Sequence, residues 1–211
     1  MPIKTRRKAP KWPVDALSPL VKGSALVLAL MGLIWLYTAP QCEVEWTGFI
    51  GPDMAEQVRR DLEAAQSCDV LRVDLYSPGG SVFDTLRITH FMEQAKVEGL
   101  IIEIRGHTLI ASGATFVLAA GSAGSRSVAP GTVVLVHGIQ AGWYGCIDWK
   151  PNPITEDQKL LNVIYERMVI EYSKLSGKPI KETWGWLVCS NAQAGDGHLL
   201  VNLGLADRVE A

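Results

Sequence analysis

From Glu43 onward the chain alternates short extended runs with helical ones. Residues 43–50, E-V-E-W-T-G-F-I, read as a strand. Residues 53–65, D-M-A-E-Q-V-R-R-D-L-E-A-A, read as an amphipathic helix whose apolar positions are Met54, Val58 and Leu62. V-L-R-V-D-L-Y (70–76) is a second strand, followed by a helix that Ser81 caps and that runs to about Ala95. G-L-I-I-E-I (99–104) is a third, followed by a helix of small residues from about Ser112 to Ala120. V-V-L-V-H (133–137) is a later strand, and residues 155–175 form a long helix with Leu160, Val163, Ile164 and Val169 on one side. Strand, helix, strand units demand right-handed crossovers, so the expected class is α/β with a mainly parallel sheet. No internal repeat or flexible linker interrupts the pattern after residue 41.

The first forty residues break from this pattern. Lys4, Arg6, Arg7, Lys8, Lys11 and Lys22 precede a stretch from Gly23 to Cys42 without a charged residue. Its apolar core is of a length to cross a bilayer as a short helix. We therefore expect a basic cytoplasmic segment at 1–22, a transmembrane helix or signal anchor at 23–40, and a folded domain at 41–211. The basic flank places the N-terminus in the cytoplasm and the domain on the periplasmic or extracytoplasmic side. A cleaved signal peptide and a buried helix of a soluble protein are the alternatives. The candidate cleavage site ending at Ala39 is followed by Pro40, and a buried helix leaves the basic flank unexplained.

Charge follows the same division. The net charge of -2 is the sum of +5 up to Thr38 and -7 beyond it, and a body that acidic has no broad basic face for nucleic acid. Outward placement gives the four cysteines a meaning. Cys42 precedes one expected strand and Cys68 the next, so parallel pairing brings both to one sheet edge, within bridging reach. Cys146 and Cys189 form the remaining candidate pair. The alternative is four small buried thiols. No CxxC or Cys/His spacing indicates a metal site, and no cofactor is expected.

Three motifs stand at strand ends. Y-S-P-G-G-S-V (76–82) ends a strand in Pro-Gly-Gly, where backbone N–H groups can approach a developing anion; a tight strand-to-helix turn needs the same residues. I-A-S-G-A-T-F (110–116) starts a helix with a hydroxyl among small neighbours, and Ser112 taken alone is an N-cap. V-V-L-V-H-G places His137 at the end of an apolar strand, where a lone histidine is ordinarily structural. Together they occupy the carboxyl ends of strands, where open α/β sheets build their sites. That combination supplies a serine nucleophile, a histidine base and a glycine oxyanion cradle.

From W-T-G-F-I-G-P-D-M-A through S-P-G-G-S-V, A-S-G-A and V-L-V-H to the terminal L-G-L-A-D, the chain resembles the proteolytic subunit of Clp protease and the wider Clp/crotonase superfamily. The resemblance implies a repeated β-β-α superhelical fold and serine peptidase chemistry. It assigns Ser112 as nucleophile, His137 as general base, and the amides of Gly80 and Gly113 as the oxyanion hole. The family's acidic third member falls on Ser190 or Asn191. Asn191 is the candidate for orienting His137, with Asp196 as the alternative.

The resemblance also implies a homo-oligomer, with residues 155–175 as the stacking helix. A membrane span replaces the loops that would receive chains from a cytoplasmic ATPase, so no ATPase partner is expected. The substrates expected are accessible peptides or nearby membrane proteins. Three rival readings remain open. The first is a Ser/Lys dyad using Lys150 or Lys159, as in signal peptide peptidases. The second is acyl-CoA chemistry on a crotonase fold, and the third is a catalytically inactive scaffold. His90, His107 and His198 have no triad-like context, and Trp143, Tyr144, Trp149, Trp184 and Trp186 line a substrate groove, the core or an oligomer interface.

Overall fold

In the computed structural model, which describes residues 41–140 and 145–211, the sheet begins with β1 (Gln41–Thr47) and its parallel neighbour β2 (Val70–Ser77). Helix α1 (Pro52–Ala64) connects them, starting with Pro52 in its first turn and burying Met54, Ala55, Val58 and Leu62. The segments expected at 1–22 and 23–40 lie outside the described residues. Among the described residues no helix is long and apolar enough to cross a membrane.

Helix α2 (Val82–Val97) opens on Ser81, whose hydroxyl oxygen accepts from the Asp84 N–H at 3.2 Å, as its sequence signature predicts. It leads to β3 (Ile101–Ala111), which runs seven residues beyond the expected end at Ile104. The extension contains an irregularity. Leu75 faces Gly106 but Ser77 faces Ile110, so β3 carries surplus residues there, and Thr108 takes up φ 59°. Below this bulge β3 pairs with β4 (Arg126–Val128); above it, Leu109–Ala111 pair with β5 (Val133–Val136). One strand thus serves two neighbours, and its upper end turns toward β5.

Helix α3 (Gly113–Ala119) leaves the end of β3 and is buried at every position, which is why its sequence contains only small and apolar side chains and one threonine. Helix α4 (Glu156–Ser176) is capped by Thr155 and ends at Gly177 in the left-handed conformation. Its buried stripe differs from the expected one. Tyr165, Met168, Val169 and Tyr172 face the core, whereas Leu160 and Val163 are more than half exposed and Ile164 is partly covered. Of the aliphatic residues used for the sequence reading only Val169 is buried, because the rest of the core contact is made by two tyrosines and a methionine.

The C-terminal part adds α5 (Ile180–Trp186), β6 (Gln193–Gly195), α6 (Gly197–Asn202) and β7 (Arg208–Val209). β7 extends the parallel order to β1-β2-β3-β4-β7, and β6 pairs antiparallel with β5. The expected α/β class with a mainly parallel sheet therefore holds, with β6 the antiparallel exception. Arg126 clamps this end to the sheet through Asp207 at 2.6 and 3.0 Å, and it also donates to the carbonyls of Leu175 and Ala119. All four cysteines are paired, Cys42 with Cys68 and Cys146 with Cys189, at Cα separations of 6.1 and 5.6 Å. The first bridge ties the starts of β1 and β2, at the sheet edge where parallel pairing places it.

Candidate functional site

Three chain crossings build the site. Gly80 follows the end of β2, Ser112 follows β3, and His137 follows β5, and these strands are neighbours in the sheet. Their carboxyl ends therefore converge, and Gly80, Ser112, Gly113 and His137 line one cavity of about 50 Å³ with Val82, Thr85 and Tyr172.

Ser112 stands at the N-cap position of α3 without acting as a side-chain cap. Its backbone adopts φ 55° and ψ −126°, a conformation that L-residues avoid. The surroundings enforce it. The Ser112 N–H donates to Leu135 O at 2.8 Å, and its carbonyl accepts from the Thr115 N–H at 3.0 Å and the Thr115 hydroxyl at 2.7 Å. Thr115 in turn lies 2.7 Å from the Tyr172 hydroxyl in the core. With backbone and neighbours fixed in this way, the serine side chain is left uncommitted and partly accessible, as a nucleophile at a sharp strand-to-helix turn requires.

The two glycine amides are free for related reasons. Gly113 is the first residue of α3, so its N–H has no carbonyl a turn earlier to reach. Beside Gly80, the Gly79 carbonyl accepts from the Ile50 N–H and the Ser81 N–H donates to Ile50 O, each at 2.8 Å. That parallel bridge uses the flanking peptides and turns the polar groups of Gly80 itself away from Ile50. Among the described residues neither the Gly80 nor the Gly113 N–H has an acceptor.

His137 is half-buried, and its Nδ1 lies 2.6 Å from the carbonyl oxygen of Gly138. A carbonyl can only accept, so in the neutral ring Nδ1 carries the proton and Nε2 offers its lone pair. That is the tautomer a general base needs. Among the described residues no carboxylate lines the cavity. Among the described residues, Asn191 and Asp196, the expected third members, make no hydrogen bond to His137. The Asn191 amide donates to Gly185 O at 2.8 Å, and Asp196 caps α6 by accepting from the His198 N–H at 3.0 Å. The contact of His137 that sequence reasoning missed is with the carbonyl of its immediate neighbour, a backbone group that leaves no trace in residue type.

A family model for Clp protease matches residues 42–184, more than half of the 211-residue chain. The chain belongs to the Clp protease family. Nothing among curated proteins matches it. As a member of this family it carries serine peptidase ancestry, and the matched region contains Gly80, Ser112, Gly113 and His137.

Other candidates fall away from the Clp-like cavity. Lys159 is exposed and paired with Glu156 at 2.7 Å, and no lysine is among the described residues lining the cavity. The aromatic residues are chiefly packing. Trp186 packs edge-on against Tyr172, and Trp149 and Tyr165 meet Trp184, while Trp143 and Tyr144 lie outside the described residues. Burial pushes the Tyr172 phenol well above the ordinary tyrosine range, so the hydroxyl stays protonated beside the site. His107 bonds its neighbour Thr108, and His90 and His198 are exposed, so none of the three joins His137.

Proposed function

We propose that the chain is a membrane-anchored serine endopeptidase. Ser112 attacks the peptide carbonyl as His137 Nε2 takes its proton; the oxyanion settles on the N–H groups of Gly80 and Gly113; His137 then protonates the leaving amine, and water releases the acyl group by the same route. The observation that carries this reading is one cavity holding a serine at positive φ, a histidine whose Nδ1 lies against a carbonyl, and, among the described residues, two unpartnered amides.

The paired cysteines support placement of the domain outside the cytoplasm, as the basic flank before residues 23–40 does. An outward domain meets no ATP, so the substrates are accessible peptides or segments of membrane proteins rather than chains delivered by an unfolding ATPase. Family membership supports assembly as a homo-oligomer. The second reading, an inactive scaffold, draws on the cavity having no carboxylate among the described residues that line it. A fluorophosphonate probe applied to the full-length chain decides between them. Labelling that disappears in Ser112→Ala and falls sharply in His137→Ala supports the peptidase, and no labelling of the folded wild-type chain supports the scaffold.

A further inference from the structure

We infer that the Gly138 carbonyl, held in place by the Cys146–Cys189 disulfide, is the positioning element for His137, so that competence of the site depends on that one bridge. The inference rests on the Ser112–His137 reading above.

A carbonyl can orient an imidazole only if its own peptide is fixed, and Gly138 is fixed from two sides. A Cβ at Gly138 would collide with Leu187 O and lie 2.9 Å from Cys146 Sγ. On one side Gln140 bridges antiparallel to Cys146, and the Ile147 N–H donates to Ile139 O at 2.8 Å. On the other, the chain through Leu187 and Cys189 leads into β6, whose Gln193 pairs with Val136, the residue before His137. These two walls come from segments far apart in sequence. Their covalent tie is the disulfide, supplemented by the Cys189 N–H donating to Asp148 Oδ1 at 2.7 Å.

The bridge therefore does for a backbone dipole what burial does for a triad carboxylate: it removes the freedom of the acceptor. Without it the Gly138 peptide can rotate, the Nδ1 proton loses its partner, and the ring divides between tautomers, only one of which accepts from Ser112. Cys42–Cys68 lies at the amino ends of β1 and β2, away from the carboxyl ends that form the site, and serves as the internal control.

The test uses full-length protein and two readouts. Long-range 15N–1H correlation at alkaline pH reports the tautomer of each imidazole, and with four histidines in the chain the His137 signals are assigned by their loss in His137→Gln. The wild-type chain and the double variant Cys42→Ala/Cys68→Ala show His137 protonated at Nδ1 with a bare Nε2. In Cys146→Ala/Cys189→Ala the two nitrogens average toward a mixture, and fluorophosphonate labelling slows, by up to the roughly 10²–10⁴-fold that a positioned general base supplies. If that variant does not fold, dithiothreitol applied to folded Cys42→Ala/Cys68→Ala cleaves the remaining bridge to two thiols while the reagent closes to its cyclic disulfide. Reoxidation restores both signals. An unchanged tautomer or an unchanged labelling rate after verified loss of the bridge overturns the inference. A wild-type chain that takes no probe counts against the peptidase reading instead, and the nitrogen spectrum still decides the positioning role.

Discussion

Gly79 packs its α-carbon directly against Ser112: a Cβ at Gly79 would lie 2.6 Å from the Ser112 Cβ and 2.9 Å from the Gly113 N. Its φ of 89° adds a second reason for glycine. Gly79→Ala therefore combines overpacking with backbone strain and is expected to cost about 2–4 kcal/mol. Gly99, at φ 104° with open space around it, isolates the strain alone, and Gly99→Ala should cost only about 1 kcal/mol. Urea unfolding of both variants checks this, and equal losses would mean that the contact with Ser112 carries no energy.

The backbone contacts that set Ser112 explain why some of the site was legible in sequence and some was not. Pro-Gly-Gly, Ala-Ser-Gly-Ala and His-Gly are short local patterns, and the periods of the intervening segments put each at a strand end. The acceptor for His137 is a main-chain carbonyl, so searching downstream residues for a side chain led to Asn191 and Asp196, which bond other groups. The bulge at Thr108 was equally invisible, because a β-branched residue at φ 59° contradicts its own propensity and is held there by two competing strand partners. In α4, hydrophobicity drew attention to Leu160 and Val163, whereas burial fell on tyrosines whose hydroxyls find partners, Tyr172 with Thr115 and Tyr165 with the Trp184 carbonyl.

The bond between Thr115 and Tyr172 should be asymmetric to mutation. The Thr115 hydroxyl donates to Ser112 O, so the Tyr172 hydroxyl is the donor between the two. Tyr172→Phe removes that donor and leaves Thr115 satisfied, at a cost of about 1 kcal/mol. Thr115→Val leaves a fully buried phenol without an acceptor and removes one of the two donors to Ser112 O, at about 2–3 kcal/mol. Thermal unfolding of the two variants measures the difference, and a larger loss for Tyr172→Phe would contradict the donor assignment.

Acid sensitivity should concentrate at the clamp on β4. Partial burial raises the Asp207 carboxyl, but two Arg126 side-chain bonds, the Arg126 N–H and the guanidinium charge outweigh it and hold the group below the ordinary aspartate range. The unfolded chain therefore takes up this proton first as pH falls. The contribution to stability is complete above about pH 4 and disappears as pH drops through the folded-state value. Asp207→Asn should lose about 1–3 kcal/mol at neutral pH and converge on wild type in acid. Denaturant titrations across that window test it, and a gap that widens in acid would reverse the sign.

Ser112 should trade stability for reactivity. Its conformation, φ 55° and ψ −126°, belongs to glycine, and no side-chain hydrogen bond compensates a serine for adopting it. Ser112→Gly should therefore stabilise the fold by about 1 kcal/mol, the strain stored in such a position, while abolishing fluorophosphonate labelling. Ser112→Ala separates the two effects, because alanine loses the nucleophile yet retains the Cβ and hence the strain. It should be as unreactive as the glycine variant and no more stable than wild type. Parallel unfolding curves for the three chains give the answer: a serine retained for chemistry leaves glycine the most stable of the three, whereas a serine retained for structure leaves both substitutions destabilised.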